Sequence, residues 1–401
     1  MSPHAAPDPF APGRLGPLEL RNRFIKAATY EGMSAGGLAS PALVELHRRI
    51  AAGGVAMTTV AYAAVDRDGR TFPEQLWLRD EAVEGLRALT RAMHDAGAKA
   101  AIQLGHCGGF SKLRPGEGGW PRGPSTSFNA YGAASGLPMA RAMRVDEIEA
   151  LPGQFARAAG LAEEAGFDAV EVHLGHGYLL SQFLSPASNR RNDAWGGDLV
   201  GRMRLPLAAV AAVRGRVGGR LAVTAKINVE DGFAGGMPAS EVLALAEALD
   251  AAGIDGLTTS GGSVSRNALF LLRGARPLKA MIAVERNALQ RVALRVLGPA
   301  VLRAWPFEET FFRDAGLRVL ARVRCPVILL GGVVSRSNAL TAMADGFSFV
   351  QLGRALLADP ELVQRFASGA AERTRCNACN QCIAAMDDGG VRCVLDDPND
   401  P

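Results

Sequence analysis

One phrase recurs along this 401-residue chain: a helix-like stretch closes on a small residue and glycine, and a short apolar strand follows at once. It is read in IAAGGVAMTTVA, MHDAGAKAAIQLG, AEEAGFDAVEVH, DAAGIDGLTTSGG and MADGFSFVQLGR. Glycine just past a helix end takes the left-handed conformation that stops the helix. The run behind it is almost wholly apolar, as a parallel strand buried on both faces must be. Strands without the phrase bring the count to eight, near residues 24–28, 55–61, 100–104, 169–174, 222–227, 256–260, 327–330 and 348–352. Eight β units alternating with helices predict a closed (β/α)8 TIM barrel. The rival is an open doubly wound sheet. It would want a G-x-G-x-x-G turn after the first strand, and FIKAA is followed by none.

Two stretches break the rhythm. Residues 105–145 are rich in glycine and proline and read as a long loop over the barrel mouth, and residues 261–320 form an arginine-rich excursion between strands six and seven. Neither reads as a domain of its own. The expected division is one barrel domain, 1–368, with a cysteine-rich C-terminal extension, 369–401. Apolar residues make up 48%, as in globular proteins. The net charge of +4 is spread among interspersed acids and bases, so no nucleic-acid partner is expected. No apolar run approaches the ~18 residues of a membrane span. The N-terminus lacks a charged-then-apolar leader, so a cytoplasmic protein without a membrane partner is expected.

In such barrels the chemistry gathers at the C-terminal ends of the strands. Strand three ends in AAIQLGHCGG, which places Gln103 there, and strand four ends in VEVHLGHGYLL, which places His173, His176 and Tyr178. Two imidazoles converging on one point can polarise a carbonyl oxygen, and a tyrosine beside them can deliver a proton. The plainer reading is a set of satisfied polar groups packing the rim. A zinc site is a further alternative, though no H-E-x-x-H helix is present. Lys226 ends strand five within an apolar run. A buried cation needs a negative partner, either a reduced flavin or a rim carboxylate such as Glu230 or Asp231. Gly331–Gly332 and Gly353–Arg354 follow strands seven and eight, where barrels commonly bind phosphate through backbone N–H groups.

These residues carry a resemblance. LRNRFIKAAT, AAIQLGHCGG, VEVHLGHGYLLSQFLSPASNRRNDAWGGD, the AKIN strand and VQLGRALLADPEL resemble the old yellow enzyme family of NADH:flavin oxidoreductases over nearly the whole chain. RNDAWGGD and the tail CNACNQC look most like the 2,4-dienoyl-CoA reductase branch. The resemblance implies an FMN enzyme that takes hydride from NAD(P)H and passes it from flavin N5 to an activated alkene, an ene-reductase acting on a small-molecule substrate. It implies that Ala28, Thr29 and Ala61 line the flavin and that Gln103 bonds its pyrimidine edge. Lys226 would lie near N1, where most relatives have arginine. Gly332, Gly353 and Arg354 would hold the phosphate, joined by Gly331 from the same turn. His173 and His176 would bind the substrate carbonyl, and Tyr178 would protonate the α carbon. Tyr30 departs from the family pattern, which often has threonine or cysteine there. The branch continues into a dinucleotide-binding domain, which this 401-residue chain is expected to lack.

Cys376, Cys379, Cys382 and Cys393 give C-x2-C-x2-C-x10-C. Four thiolates so spaced suit a [4Fe–4S] cluster or tetrahedral zinc. The resemblance points to iron–sulfur, with the last two gaps each one residue shorter than in the branch. Zinc or an empty site remain alternatives. Cys107 and Cys325 read as ordinary buried thiols. Two other functions stand beside ene reduction: an FMN dehydrogenase or demethylase oxidising a C–N or C–H bond, and a non-catalytic flavin-binding scaffold. The reading leaves room for a homo-oligomer.

Overall fold

A computed structural model describes residues 6–113 and 116–395. Eight strands close into a parallel barrel: β1 (Phe24–Lys26), β2 (Met57–Ala64), β3 (Lys99–Gly105), β4 (Ala169–Leu174), β5 (Ala222–Glu230), β6 (Gly256–Gly261), β7 (Val327–Leu330) and β8 (Phe349–Leu352). The circle shuts where β8 pairs with β1, Val350 opposite Phe24. All eight fall where the glycine-then-apolar phrase and its variants predict them, within about two residues at most ends.

The helices are stopped and started as the residue chemistry demands. Ser40 accepts from Leu43 N ahead of Pro41–Ala52, and Asp198 accepts from Gly201 N ahead of Leu199–Val217. Such side chains satisfy N–H groups that have no partner inside the helix. The barrel floor is an unannounced feature. A hairpin, Gly13–Leu15 with Leu18–Leu20, brings Leu15, Leu18 and Leu20 against Ile25, Met57, Ala169, Ile328 and Phe349. The floor is therefore apolar and the functional end is the opposite one.

Both interruptions carry more structure than their composition suggests. Within 105–145 a small three-stranded sheet forms from Arg122–Gly123, Ser127–Phe128 and Met139–Ala142. The 261–320 excursion folds into helices Val264–Leu271, Leu278–Val284, Ala288–Val301 and Arg313–Leu320. The segment after residue 368 returns over the mouth: Thr374 N donates to Val334 O, and Val391 N donates to Glu31 O at 2.7 Å. Contact there is close enough that any side chain at Gly32, with φ +66°, would meet the Met386 carbonyl. Among the described residues no helix is long and apolar enough to cross a membrane.

Candidate active site

Register alone brings the polar residues together. Gln103 on β3 lies opposite Glu171 on β4, Lys226 on β5 lies opposite His173, and Thr258 on β6 lies opposite Lys226. The side chains then meet. Gln103 Nε2 donates to Glu171 Oε1 at 2.7 Å, and Lys226 Nζ forms an ion pair with the same oxygen at 2.9 Å. Thr258 Oγ1 and Gln351 Nε2 donate to Glu171 Oε2 at 3.0 and 3.4 Å. Lys226 is fully buried. Its carboxylate partner is therefore Glu171, neither Glu230 nor Asp231. Glu230 is half-exposed and faces Arg318, whereas Asp231 accepts from Asn228 and Met237 N. Apart from the ion pair, Lys226 Nζ finds no hydrogen-bond acceptor among the described residues.

Above this layer stand the β4-end residues. The rings of His173 and His176 are 4.8 Å apart, and those of His173 and Tyr178 4.7 Å. The turn carrying them needs a left-handed residue at His176 (φ 61°), held by its N–H donating to Asn228 Oδ1 at 2.9 Å. Burial, then the charge of Lys226, pushes His176 down to about 3. Burial, His176 and Lys226 hold His173 well below the ordinary histidine range. Both are neutral imidazoles at neutral pH, with one N–H each. His173 Nδ1 accepts from Gly175 N at 3.4 Å, which leaves its proton on Nε2. His176 Nε2 is 2.7 Å from Ser260 Oγ. Tyr178 is buried, which raises its hydroxyl well above the ordinary phenol range. Tyr131 and Cys107 add to that rise, and a hydrogen bond with Thr71 opposes it.

Two groups went unread in the sequence. Tyr62 packs edge-on to Tyr178 at 4.8 Å and bonds Gly69 O and Thr71 Oγ1. A second buried ion pair joins Lys26 Nζ to Glu31 Oε1 at 2.7 Å, with His47 Nε2 3.4 Å from the same oxygen. Ala61 N donates to both Glu31 oxygens at 3.1 Å, so its N–H is already bound and only its side chain and carbonyl remain to line a ligand. A lysine within a strand as apolar as FIK was the signal that a buried carboxylate must lie near.

Ala28 and Thr29 follow β1 directly. Thr29 Oγ1 is buried without a partner and lies beside Gly353, where an added Cβ would be 3.6 Å from Thr29 Cγ2. Gly331 and Gly332 have φ of 109° and 74°, values that a side chain would strain. Thr310 N donates to Gly332 O at 3.0 Å, so residues 308–311 wrap this turn. Arg354 Nη1 is committed to protein acceptors: the carbonyls of Leu272 and Arg273 at 3.2 and 3.1 Å, and Asn380 Oδ1. Any phosphate contact would fall to its other N–H groups.

Cys376, Cys379, Cys382 and Cys393 line one surface cavity with Arg354 and Asn380, and none forms a disulfide. Burial pushes the Cys382 thiol up to about 11, against the pull of Arg354. Among the described residues no three His, Cys, Asp or Glu side chains form a metal-holding group. The four thiols thus share a cavity without forming a ready-made metal-holding group. Cys107 is buried and Cys325 is partly buried; burial pushes the latter up to about 12.

The family match places this barrel in the class of flavin-dependent oxidoreductases. Within that class the chain belongs to the NADH:flavin oxidoreductase / NADH oxidase family, whose profile matches residues 8–269. A 4,4'-dithiodibutanoate disulfide reductase from Rhodococcus erythropolis is 40% identical over 99% of this chain and 97% of its own length. An NADH oxidase from Thermoanaerobacter brockii is 29% identical over 93% of this chain, which spans 53% of that protein. Among solved structures, the old yellow enzyme homologue of Zymomonas mobilis superposes with a TM-score of 0.72. At 21% identity, covering 95% of this chain and 99% of that one, the likeness is one of fold.

Proposed function

We propose that this chain is an NAD(P)H-dependent FMN oxidoreductase that reduces the activated C=C bond of an α,β-unsaturated carbonyl compound. The observation carrying this reading is the meeting of His173, His176 and Tyr178 beside Lys226, which pairs with His173 across the strands. The residues fit FMN. Thr29 Oγ1 is a buried polar atom without a protein partner, and buried Lys226 Nζ has only the Glu171 carboxylate beside it, so a ligand would complete both. Ala28, Thr29 and Ala61 would line the ring, Gln103 and Lys226 would meet its polar edge, and Gly331, Gly332, Gly353 and Arg354 would hold the phosphate. Bound FMN supplies hydride, taken from NAD(P)H.

The protein's own part is orientation and proton delivery. His173 offers Nε2–H to a carbonyl oxygen, and His176 completes the clamp from the other side. Neutral donors polarise the carbonyl without fixing a charge before hydride arrives. Tyr178 keeps its proton until the α carbon needs it. Tyr178→Phe should slow reoxidation of the reduced protein by an enone about 10²–10⁴-fold and leave reduction by NAD(P)H within about twofold. Anaerobic stopped-flow on each half-reaction reads both, and equal loss in the two would refute the assignment. Bleaching by a tertiary amine but not by NAD(P)H would favour the dehydrogenase reading.

A second acceptor has a specific observation behind it. The Rhodococcus relative that matches nearly end to end is named a disulfide reductase. On a disulfide, Tyr178 would protonate a departing thiolate. Mixing the reduced protein separately with an enone and with an aliphatic disulfide distinguishes the two by which one restores the flavin absorbance. The four tail cysteines are proposed ligands for a [4Fe–4S] cluster or zinc, supported by their common cavity beside Arg354. Iron, sulfide and zinc at trace levels in anaerobically purified protein would refute that.

A further inference from the structure

We propose that Glu171 is a positioning residue for the flavin: it fixes Gln103 and Lys226 together and divides the single charge of Lys226 with the ring edge. The inference rests on the flavin reading above and deepens it. Glu171 is 2% exposed, in a strand whose every residue is buried. One of its oxygens, Oε1, takes both the Gln103 amide and the Lys226 ammonium. These are the two side chains proposed to meet the ring's polar edge, and neither can move without the other. The second oxygen is held by Thr258 from β6 and Gln351 from β8. Four donors from four different strands thus converge on one carboxylate, which has no other task visible in the fold.

The charge arrangement follows. A lysine ammonium has three N–H groups, and here the carboxylate is its one anionic neighbour within bonding distance, with no further acceptor among the described residues. The remaining N–H groups are the ones that can reach a ligand. An unpaired ammonium under the ring would favour the electron-rich reduced form strongly. Paired with Glu171, the same ammonium favours it less, because much of its field is cancelled at 2.9 Å. Glu171 therefore keeps the flavin easier to reoxidise, as a reductase that must hand hydride onward requires.

Glu171→Gln preserves size and removes the charge. The oxidised-to-reduced equilibrium of bound FMN should move toward reduced by at least tenfold, a positive shift of about 30 mV for a two-electron couple. The new amide would also present a donor to Gln103 or Lys226, so FMN affinity should fall about tenfold. A dye-coupled potential and a fluorescence titration of FMN measure both. The control is the cycle with Lys226→Met. If Glu171 acts through the lysine, adding Glu171→Gln to Lys226→Met should change the potential by less than threefold in equilibrium constant. If Glu171→Gln itself cannot hold FMN, Glu171→Asp is measured in its place. Aspartate keeps the charge but draws it back from Nζ, and it should give a smaller positive shift. A potential unchanged in Glu171→Gln or Glu171→Asp, while Lys226→Met moves it, overturns the role of Glu171. A potential unmoved by Lys226→Met overturns the flavin placement itself.

Discussion

Replacing Glu31 by glutamine should cost more stability than removing both members of its ion pair. Lys26 and Glu31 have side chains 1% and 5% exposed, and the ammonium donates to Glu31 Oε1 at 2.7 Å. In Glu31→Gln only neutral acceptors would be left to Lys26, the new amide oxygen and the Thr59 carbonyl at 3.1 Å. Stranding one member of a buried pair costs about 3–5 kcal/mol, whereas a well-packed apolar replacement of both is often near neutral. At ~2.1 cal/mol/K per residue, a chain of this size unfolds with an entropy of about 0.8 kcal/mol/K, so the single variant should lose roughly 4–6 °C in Tm. Lys26→Met/Glu31→Leu should lie much closer to the parent. Lys26→Met alone tests the triad further. Burial, then Lys26, pushes His47 down to about 4, while Glu31 pulls it up. Without Lys26 the Glu31 carboxylate favours the imidazolium, and the folded-state value rises. A higher value means that less stability is lost to protonation of His47 as pH falls below 6.5. Lys26→Met should therefore be less destabilised at pH 6 than at pH 8. Thermal and urea unfolding of the flavin-free proteins at both pH values measure this. A single variant no worse than the double, with no pH dependence in Lys26→Met, would refute the reasoning.

Acid should weaken the parent fold through its buried neutral histidines. His47, His173 and His176 all titrate below the ordinary value, so their contribution is complete above pH 6.5 and falls as pH drops toward about 4 and then 3, which urea midpoints across pH 4–7 will show. Asn380→Ala should cost about 1–3 kcal/mol, because Nδ2 donates to the Leu272 and Ala275 carbonyls and Oδ1 accepts from Arg354. Limited proteolysis should then cut the tail after residue 368 before the barrel; equal resistance to the parent would contradict this.

The barrel was legible because its strands are buried on both faces, a signal present eight times, and because five of them follow a helix that ends on glycine. The meeting of Gln103, His173, His176 and Lys226 was legible for a related reason, since strand ends in a closed barrel can only face one mouth. Glu171 and Glu31 were not. AVEVHL reads as alternating polar and apolar, and nothing local says that its glutamate points at a lysine more than fifty residues away. Strand-bound lysines demanded buried anions, but the sequence does not say which. The small sheet within 105–145 escaped because two-residue strands have no periodicity to detect, and the leucine floor because its hairpin lies before the first barrel strand.

Arg354 opens the helix Arg354–Ala358 that follows β8 and clasps Leu272 and Arg273 on one side and Asn380 on the other. The excursion and the tail are thus two halves of one joint, pinned by Arg354 and also bonded directly through Asn380 to the Leu272 and Ala275 carbonyls. A chimera that borrowed either segment from a relative without the other would strand the pin's acceptors in a buried place. Exchange of these appendages should succeed only when they travel as a pair.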